Sequence, residues 1–291
     1  MLPRRSGHAV RGLSASRRRA LILMRAMSAF DRYLRLLGIT RRRPSLEALR
    51  ELTLAHLTRV PFENISKLCL RKQPERHGLP ALERFLDGIE RHRLGGTCYA
   101  NNFHLNQLLE HMGYRVSLCG ADMSAPDVHM VNVVSVEGSP YLVDGGYAAP
   151  FLEPMPLDLK QDQEVPWGRD RYVLKPRDSD GRSRMEHHRD GRLRHGYLVN
   201  PTPRRIGEFA GVIADSFRAD ATFMNALLVV RFSGTRSLTL RNLTLTEASA
   251  ASWRSREVGR PELPLVMEQE FGIPRAIGSQ ALDGVELTQN A

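Results

Sequence analysis

Three residues in this chain could share one piece of chemistry. Cys98 lies in Leu94-Gly95-Gly96-Thr97-Cys98-Tyr99-Ala100-Asn101-Asn102, a glycine turn running into an amphipathic helix. His129 opens the apolar run His129-Met130-Val131-Asn132-Val133-Val134, and Asp144 closes Tyr141-Leu142-Val143 before Gly145-Gly146-Tyr147. A free thiol has a pKa of ~8.5 and is a weak nucleophile at neutral pH. A helix N-terminus favours the thiolate, and an imidazole within reach can take the proton. The imidazole in turn needs a partner that fixes its tautomer and balances its charge. A carboxylate at the end of an apolar strand is costly unless paired, and a histidine N–H would satisfy it. The order Cys98, His129, Asp144 therefore suggests a nucleophile, a base and an orienting acid. Taken singly, each has a plainer reading: a small core residue, a hydrogen-bonded scaffold histidine and a turn aspartate. Gly95-Gly96 lacks the Lys-Ser/Thr of a phosphate-binding loop.

The elements that must position them follow from periodicity. Residues 28–42 read as a helix, capped by Ser28 and ended by Gly38. A second helix opens at Pro44-Ser45 and stops at Val60-Pro61, because the residue before proline avoids helical angles. Residues 79–91 form a third. The Cys98 helix carries Leu105, Leu108, Leu109 and Met112 on one face and ends near Gly113. The period then changes to two. Residues 114–119, 129–136 and 141–143 read as strands, with further strands at 171–174, 193–199, 227–232 and 238–245. A short helix at 264–271 ends at Gly272, and the tail from Arg275 reads as loose. Helices followed by strands and a small mixed end make an α+β class rather than a wound parallel sheet. The divisions expected are a basic, disordered extension at 1–27, a helical bundle carrying the cysteine at 28–113, a β-rich part carrying histidine and aspartate at 114–205, a mixed part at 206–274 and the tail at 275–291.

Composition narrows the function. The 291 residues are 42% hydrophobic and 25% charged, ordinary for a globular protein with a substantial core. No apolar run approaches the ~20 residues that span a bilayer. The formal charge of +10 suggests a nucleic-acid binder, but residues 1–26 hold seven arginines and no acid, which leaves +3 for the rest. The remaining positive charge reads as solvated faces, or as attraction for an anionic substrate such as a nucleotide-containing thioester. No RNA- or DNA-binding motif is present, so a catalytically silent basic module is disfavoured. The arginine-rich start fits a transit peptide or an extension upstream of Met24 or Met27, the latter preferred; its apolar core is too short for a good secretory signal. Three cysteines, Cys69, Cys98 and Cys119, without a CxxC pair, fit a reducing, cytoplasmic setting with one reactive thiol. Cys119 reads as a core residue of a strand. His187, His188 and His195 lie in a charged hairpin without cysteine partners and read as solvated surface rather than metal ligands.

These segments together resemble the arylamine N-acetyltransferases over residues 28–274. Val60-Pro61-Phe62-Glu63-Asn64, Gly95-Gly96-Thr97-Cys98-Tyr99, His129-Met130 and Tyr141-Leu142-Val143-Asp144-Gly145-Gly146-Tyr147 match family segments in order. Ala221-Thr222-Phe223 stands where the family has a serine–phenylalanine pair, and Glu270-Phe271-Gly272-Ile273 resembles its closing helix end. The resemblance implies a helical bundle, a central β-barrel and an α/β lid around a cysteine-peptidase-like core. It implies ping-pong transfer of an acetyl group from acetyl-CoA through a Cys98 thioester to an arylamine, hydrazine or N-hydroxyarylamine. His129 and Asp144 would complete the triad, with acetyl-CoA as co-substrate and no resident cofactor, metal, nucleic acid or membrane. An amide synthase acting on a polyketide-like acyl chain and a Cys-His-Asp hydrolase are the alternatives. The chain departs from the family pattern at Leu94, where an arginine is usual (Arg93 stands one residue earlier), at Ala100, where a glutamate is common, and in a shorter loop from Gly120 to His129.

Overall fold

The computed structural model describes residues 28–287. The basic extension at 1–27 and the last four residues lie outside them. Helices come first. In α1 (Ala29–Leu37) Ser28 accepts the Asp31 N–H at 3.1 Å, Asp31 returns a bond to Ser28, and Gly38 ends the helix at φ 68°. Gly38 ends it as expected, and the residues on to 42 lie beyond the helix. In α2 (Leu46–Arg59) Ser45 caps Ala48 at 3.1 Å. A two-residue strand, β1 (Phe62–Glu63), and one helical turn, α3 (Ile65–Leu68), follow. Next are α4 (Leu82–His92) and α5 (Cys98–His111). Tyr33, Leu49, Leu86, Leu105 and Leu108 are buried in one cluster among these helices, with Val134 and Val143 from the sheet beyond packed onto it.

The second part is an eight-stranded antiparallel sheet: β2 (Arg115–Asp122), β3 (His129–Val136), β4 (Ser139–Val143), β5 (Met155–Pro156), β6 (Gln163–Trp167), β7 (Asp170–Leu174), β8 (Ser183–Arg189) and β9 (Arg192–Pro203). Their order is β5-β4-β3-β2-β9-β8-β7-β6, which leaves β5 and β6 as the edges. Leu142 and Met155 near one edge share a single core with Trp167 and Leu174 near the other, so the sheet curls around that core. In an antiparallel pair the start of one strand meets the end of the next. Asn132 pairs with Val143, so His129 and Asp144 reach the same rim.

The last part corrects two expectations. Residues 238–245 are not one strand. They belong to β11 (Arg236–Arg241) and β12 (Thr244–Ser249), joined by a tight turn in which Asn242 adopts φ 47°. Asparagine tolerates that left-handed region, and its side chain also accepts the Leu227 N–H at 3.0 Å. With β10 (Leu228–Ser233) and β13 (Ser252–Glu257) they form a five-stranded antiparallel sheet of order β1-β10-β11-β12-β13. The mixed end is thus not self-contained, because Phe62 and Glu63 supply its edge through pairing with Val230 and Val229. Asn64 locks this joint: its amide donates to the Phe223 and Ala226 carbonyls and its oxygen accepts the Leu228 N–H at 2.8 Å. Strands β6, β8 and β13 carry mixed or charged residues without a clear alternation; β13 is an exposed edge.

The second correction concerns the tail. After a short helix α6 (Ala210–Asp215), the chain closes with α7 (Leu263–Phe271) and a further helix, α8 (Arg275–Leu282). Ala281, Leu282 and Val285 are buried with Ile65, Leu68, Leu263 and Met267. Burying such side chains is worth roughly 1.5–3 kcal/mol each for the larger ones. Deleting the chain from Arg275 onward is expected to lower stability by at least about 3 kcal/mol. Urea unfolding followed by circular dichroism checks this; an unchanged midpoint would return the segment to a loose tail.

Candidate active site

Cys98 is the first residue of α5. Thr97 before it is extended (φ -83°, ψ -176°), and its side chain makes no capping bond to the helix. The first N–H groups of the helix are therefore not used by a side-chain cap, and the positive end of the helix faces the thiol's own turn. Two glycines make this placement possible. A Cβ on Gly95 would lie 2.1 Å from the Pro61 carbonyl, and one on Gly146 would lie 2.6 Å from the Cys98 Cα. The first lets the nucleophile loop lie on the β1 segment, where the Glu63 N–H donates to the Gly96 carbonyl at 3.0 Å. The second lets the Asp144 loop reach the helix start.

The structure brings His129 and Asp144 to that point. Both are almost completely buried, 2% and 1% exposed. His129 Nε2 donates to Asp144 Oδ2 at 2.8 Å. The same Asp144 oxygen accepts the Tyr197 hydroxyl at 2.8 Å, and the other accepts the Asn102 amide and the Gly146 N–H, both at 2.9 Å. Cys98 lies within electrostatic reach of the same imidazole. Burial opposes a charge on His129, but Asp144 and then Cys98 outweigh it and raise the pKa to about 10. Burial likewise opposes charge on Asp144, yet His129, Asn102 and Gly146 hold its carboxyl below the usual range. Burial pushes Cys69 and Cys119 up to about 12, Cys69 with added repulsion from Glu63.

Sequence reasoning missed the residues that join these three. Asn102 stands one helical turn after Cys98, so its side chain emerges on the same face. Besides Asp144 it donates to the Met130 carbonyl at 2.6 Å and accepts the Gly145 N–H at 2.8 Å. A polar residue four positions after the cysteine was the available signal. Tyr197, on β9, gave none, because nothing in the sequence sets β9 beside β2. Tyr147 lies edge-on to both His129 and Tyr197, at 5.5 and 4.9 Å between centroids. Glu63 is fully buried; one carboxylate oxygen accepts the Ser66 N–H at 2.8 Å, the other has no hydrogen-bond partner among the described residues, and burial raises its pKa. Arg93 ends α4 in the left-handed region, and the base of its side chain lies along Gly272.

The hairpin histidines also need correcting. His187 is not solvated: it is buried, with Asp170 at 2.8 Å and His195 at 3.0 Å. Arg189 binds the same aspartate with two bonds at 2.7 and 2.9 Å. His188 pairs with Glu186. Among the described residues no group of three or more histidine, cysteine or acidic side chains is arranged to hold a metal, and no helix is long and apolar enough to cross a membrane.

Residues 45–277 match the N-acetyltransferase family. The chain belongs to the arylamine N-acetyltransferase family. It is 33% identical over 132 residues to the pineal gland arylamine N-acetyltransferase of Gallus gallus, covering 43% of this chain and 44% of that one. It is 32% identical over 118 residues to proansamycin X synthase of Amycolatopsis mediterranei, covering 38% and 45%. The matched segments thus span less than half the length of these relatives. The fold is similar to that of Mycobacterium marinum arylamine N-acetyltransferase in complex with CoA, with a TM-score of 0.73, 20% identity and coverage of 87% of this chain and 98% of that chain.

A raised His129 pKa has a definite sign in this family member. The ion pair's contribution to stability is full below pH 6.5 and is lost as pH rises through about 10. Histidine NMR is expected to give a His129 midpoint well above 6.5 in the wild type. In Asp144→Asn, burial is left unopposed by a carboxylate, and the midpoint falls. A wild-type midpoint at or below 6.5 would contradict the assignment.

Proposed function

We propose that the protein transfers an acetyl group from acetyl-CoA to an arylamine, hydrazine or N-hydroxyarylamine in two half-reactions through Cys98. The observation that carries this reading is the buried His129–Asp144 pair within electrostatic reach of Cys98 at the start of α5, in a member of this family. The Cys98 thiolate, its proton held by His129, attacks the thioester carbonyl of acetyl-CoA. The oxyanion is received by backbone N–H groups at the helix start, a contribution of ~2.7–4 kcal/mol per donor in a comparable site. The C–S bond to CoA breaks and His129 protonates the departing thiolate, leaving acetyl-Cys98 and a neutral imidazole. The amine then attacks the new thioester, His129 removes its proton, and Cys98 leaves as thiolate. Asp144 does not change protonation state; it holds the imidazole and balances its charge. The curled sheet serves as the barrel of this architecture, and the five-stranded sheet with its helices serves as the lid.

The CoA complex of the Mycobacterium marinum structure supports the donor. A second reading, amide synthesis on a polyketide-like acyl chain, is supported by the similarity to proansamycin X synthase and uses the same covalent step. Dependence on an acyl-carrier protein separates the two.

Mixing the protein with acetyl-CoA alone is expected to add one acetyl group at Cys98 by intact mass and peptide mapping. Cys98→Ala gives no adduct and no transfer. An adduct on Cys69 or Cys119, or none at all, would sink the proposal; accumulation of free acetate without amine would favour hydrolysis.

A further inference from the structure

A cavity of about 370 Å³ lies against the nucleophile loop. Gly95, Gly96, Thr97, Tyr99 and Ala100 form one wall, with α3, α4 and the segment after α6 around the rest. Leu94 and Ala100, two of the points where the chain departs from the family pattern, both line it. Phe217 lines the cavity and packs in the same apolar cluster as Cys98.

One cation is built into this wall. Lys67 is only 6% exposed, and it lies on α3 directly beyond the Glu63 turn. Its ammonium donates to the Ser216 carbonyl and hydroxyl, both at 2.7 Å, and rests 4.2 Å above the Phe217 ring. The Ser216 hydroxyl spends its own proton on the Ile213 carbonyl at 2.6 Å. Both hydrogen-bond acceptors are neutral. Burial lowers the Lys67 pKa to about 8, opposed by Cys98, which places the two groups within electrostatic reach of each other. A buried ammonium without a carboxylate is costly, and a substrate anion would repay that cost. Most of the other charges on the wall have the same sign. Arg76, Arg84 and Arg91 line the cavity, and the one carboxylate there among the described residues, Asp87, is already held by Arg32 at 2.7 Å and by Arg91 at 3.6 Å.

We infer that this cavity binds a carboxylate carried by one of the two organic substrates, with Lys67 as the specificity-determining residue. The volume suits a small aromatic or acyl body, and the apolar lining from Leu70, Leu79, Phe85 and Phe217 suits its non-polar part. The carboxylate can arrive on the amine acceptor or at the far end of the acyl group. The inference rests on the acyl-transfer reading above.

The test compares kcat/KM for matched acid and neutral substrates in two arms. The acceptor arm uses para-aminobenzoate against para-aminobenzamide with acetyl-CoA. The donor arm uses succinyl-CoA against butyryl-CoA with one neutral arylamine. Wild type is expected to prefer the acid about 10-fold or more in one arm, which identifies the source, as a charged hydrogen bond allows. Lys67→Met and Lys67→Gln lose that preference, and Lys67→Arg retains it; glutamine keeps a donor for Ser216 and guards against misfolding. Wild type without acid preference in either arm, or neutral variants that keep it, overturns the inference. Acetylation of wild-type Cys98 by acetyl-CoA is measured alongside. If it occurs while the preference is absent, the cavity assignment alone fails; if it does not, the acyl-transfer reading has failed.

Discussion

Asp144 is the carboxylate on which this architecture converges. It is removed from water, so its charge is tolerable only with every acceptor position answered. Four groups answer it: an imidazole from the start of β3, a phenol from β9, an amide from the second turn of α5 and a backbone N–H from its own loop. These come from the helical part, from both sides of the curled sheet and from the loop between. Satisfying one charge thus fixes the relative position of three segments that are distant in sequence. The thiol at the head of α5 inherits that placement, because Asn102 sits on the same helix four residues later.

The second constraint is close approach of backbone. Gly95 lies on Pro61 and Gly146 on Cys98, with no room for a Cβ at either place. A glycine pair that could have been ordinary turn chemistry is instead a contact surface. Polar burial completes the fit. Asn106 donates to Asn132, and Asn132 donates to the Asn102 carbonyl, so the α5–β3 seam is tied by hydrogen bonds as well as apolar packing. Buried networks of this kind rigidify when fully satisfied.

Much of this was legible in the residues. Ser28, Gly38, Ser45 and Gly272 mark helix ends by local chemistry, and the structure places ends at each of them. Cys98, His129 and Asp144 were legible as a set, from their order in the chain, from the cost of an unpaired Asp144 and from the resemblance of their flanking segments to the family. The misses have physical causes. Asn242 supports a turn inside an alternating run, and alternation alone does not reveal where a strand doubles back. The final helix has too few apolar residues to announce itself; its burial depends on α3 and α7 already being in place. Tyr197 and Lys67 act through neighbours brought from far away in sequence, and no local pattern encodes such a meeting. His187 looked solvated because its hairpin is charged, whereas pairing across β7 supplies the Asp170 that buries it.

The pairing of β1 with β10 has a consequence for the order of assembly. Phe62 and Val230 are partners, and the Gly96 carbonyl beside the candidate nucleophile is held by the Glu63 N–H of that same two-residue strand. During synthesis from the N-terminus, the helices and the cysteine loop emerge long before β10 exists. The loop's support is therefore among the last contacts to form, after closure of a chain segment of long span. Until then the thiol belongs to a helix with an unfinished floor. Chemical competence would thus be a property that the chain gains late, when its final third has folded back onto the beginning.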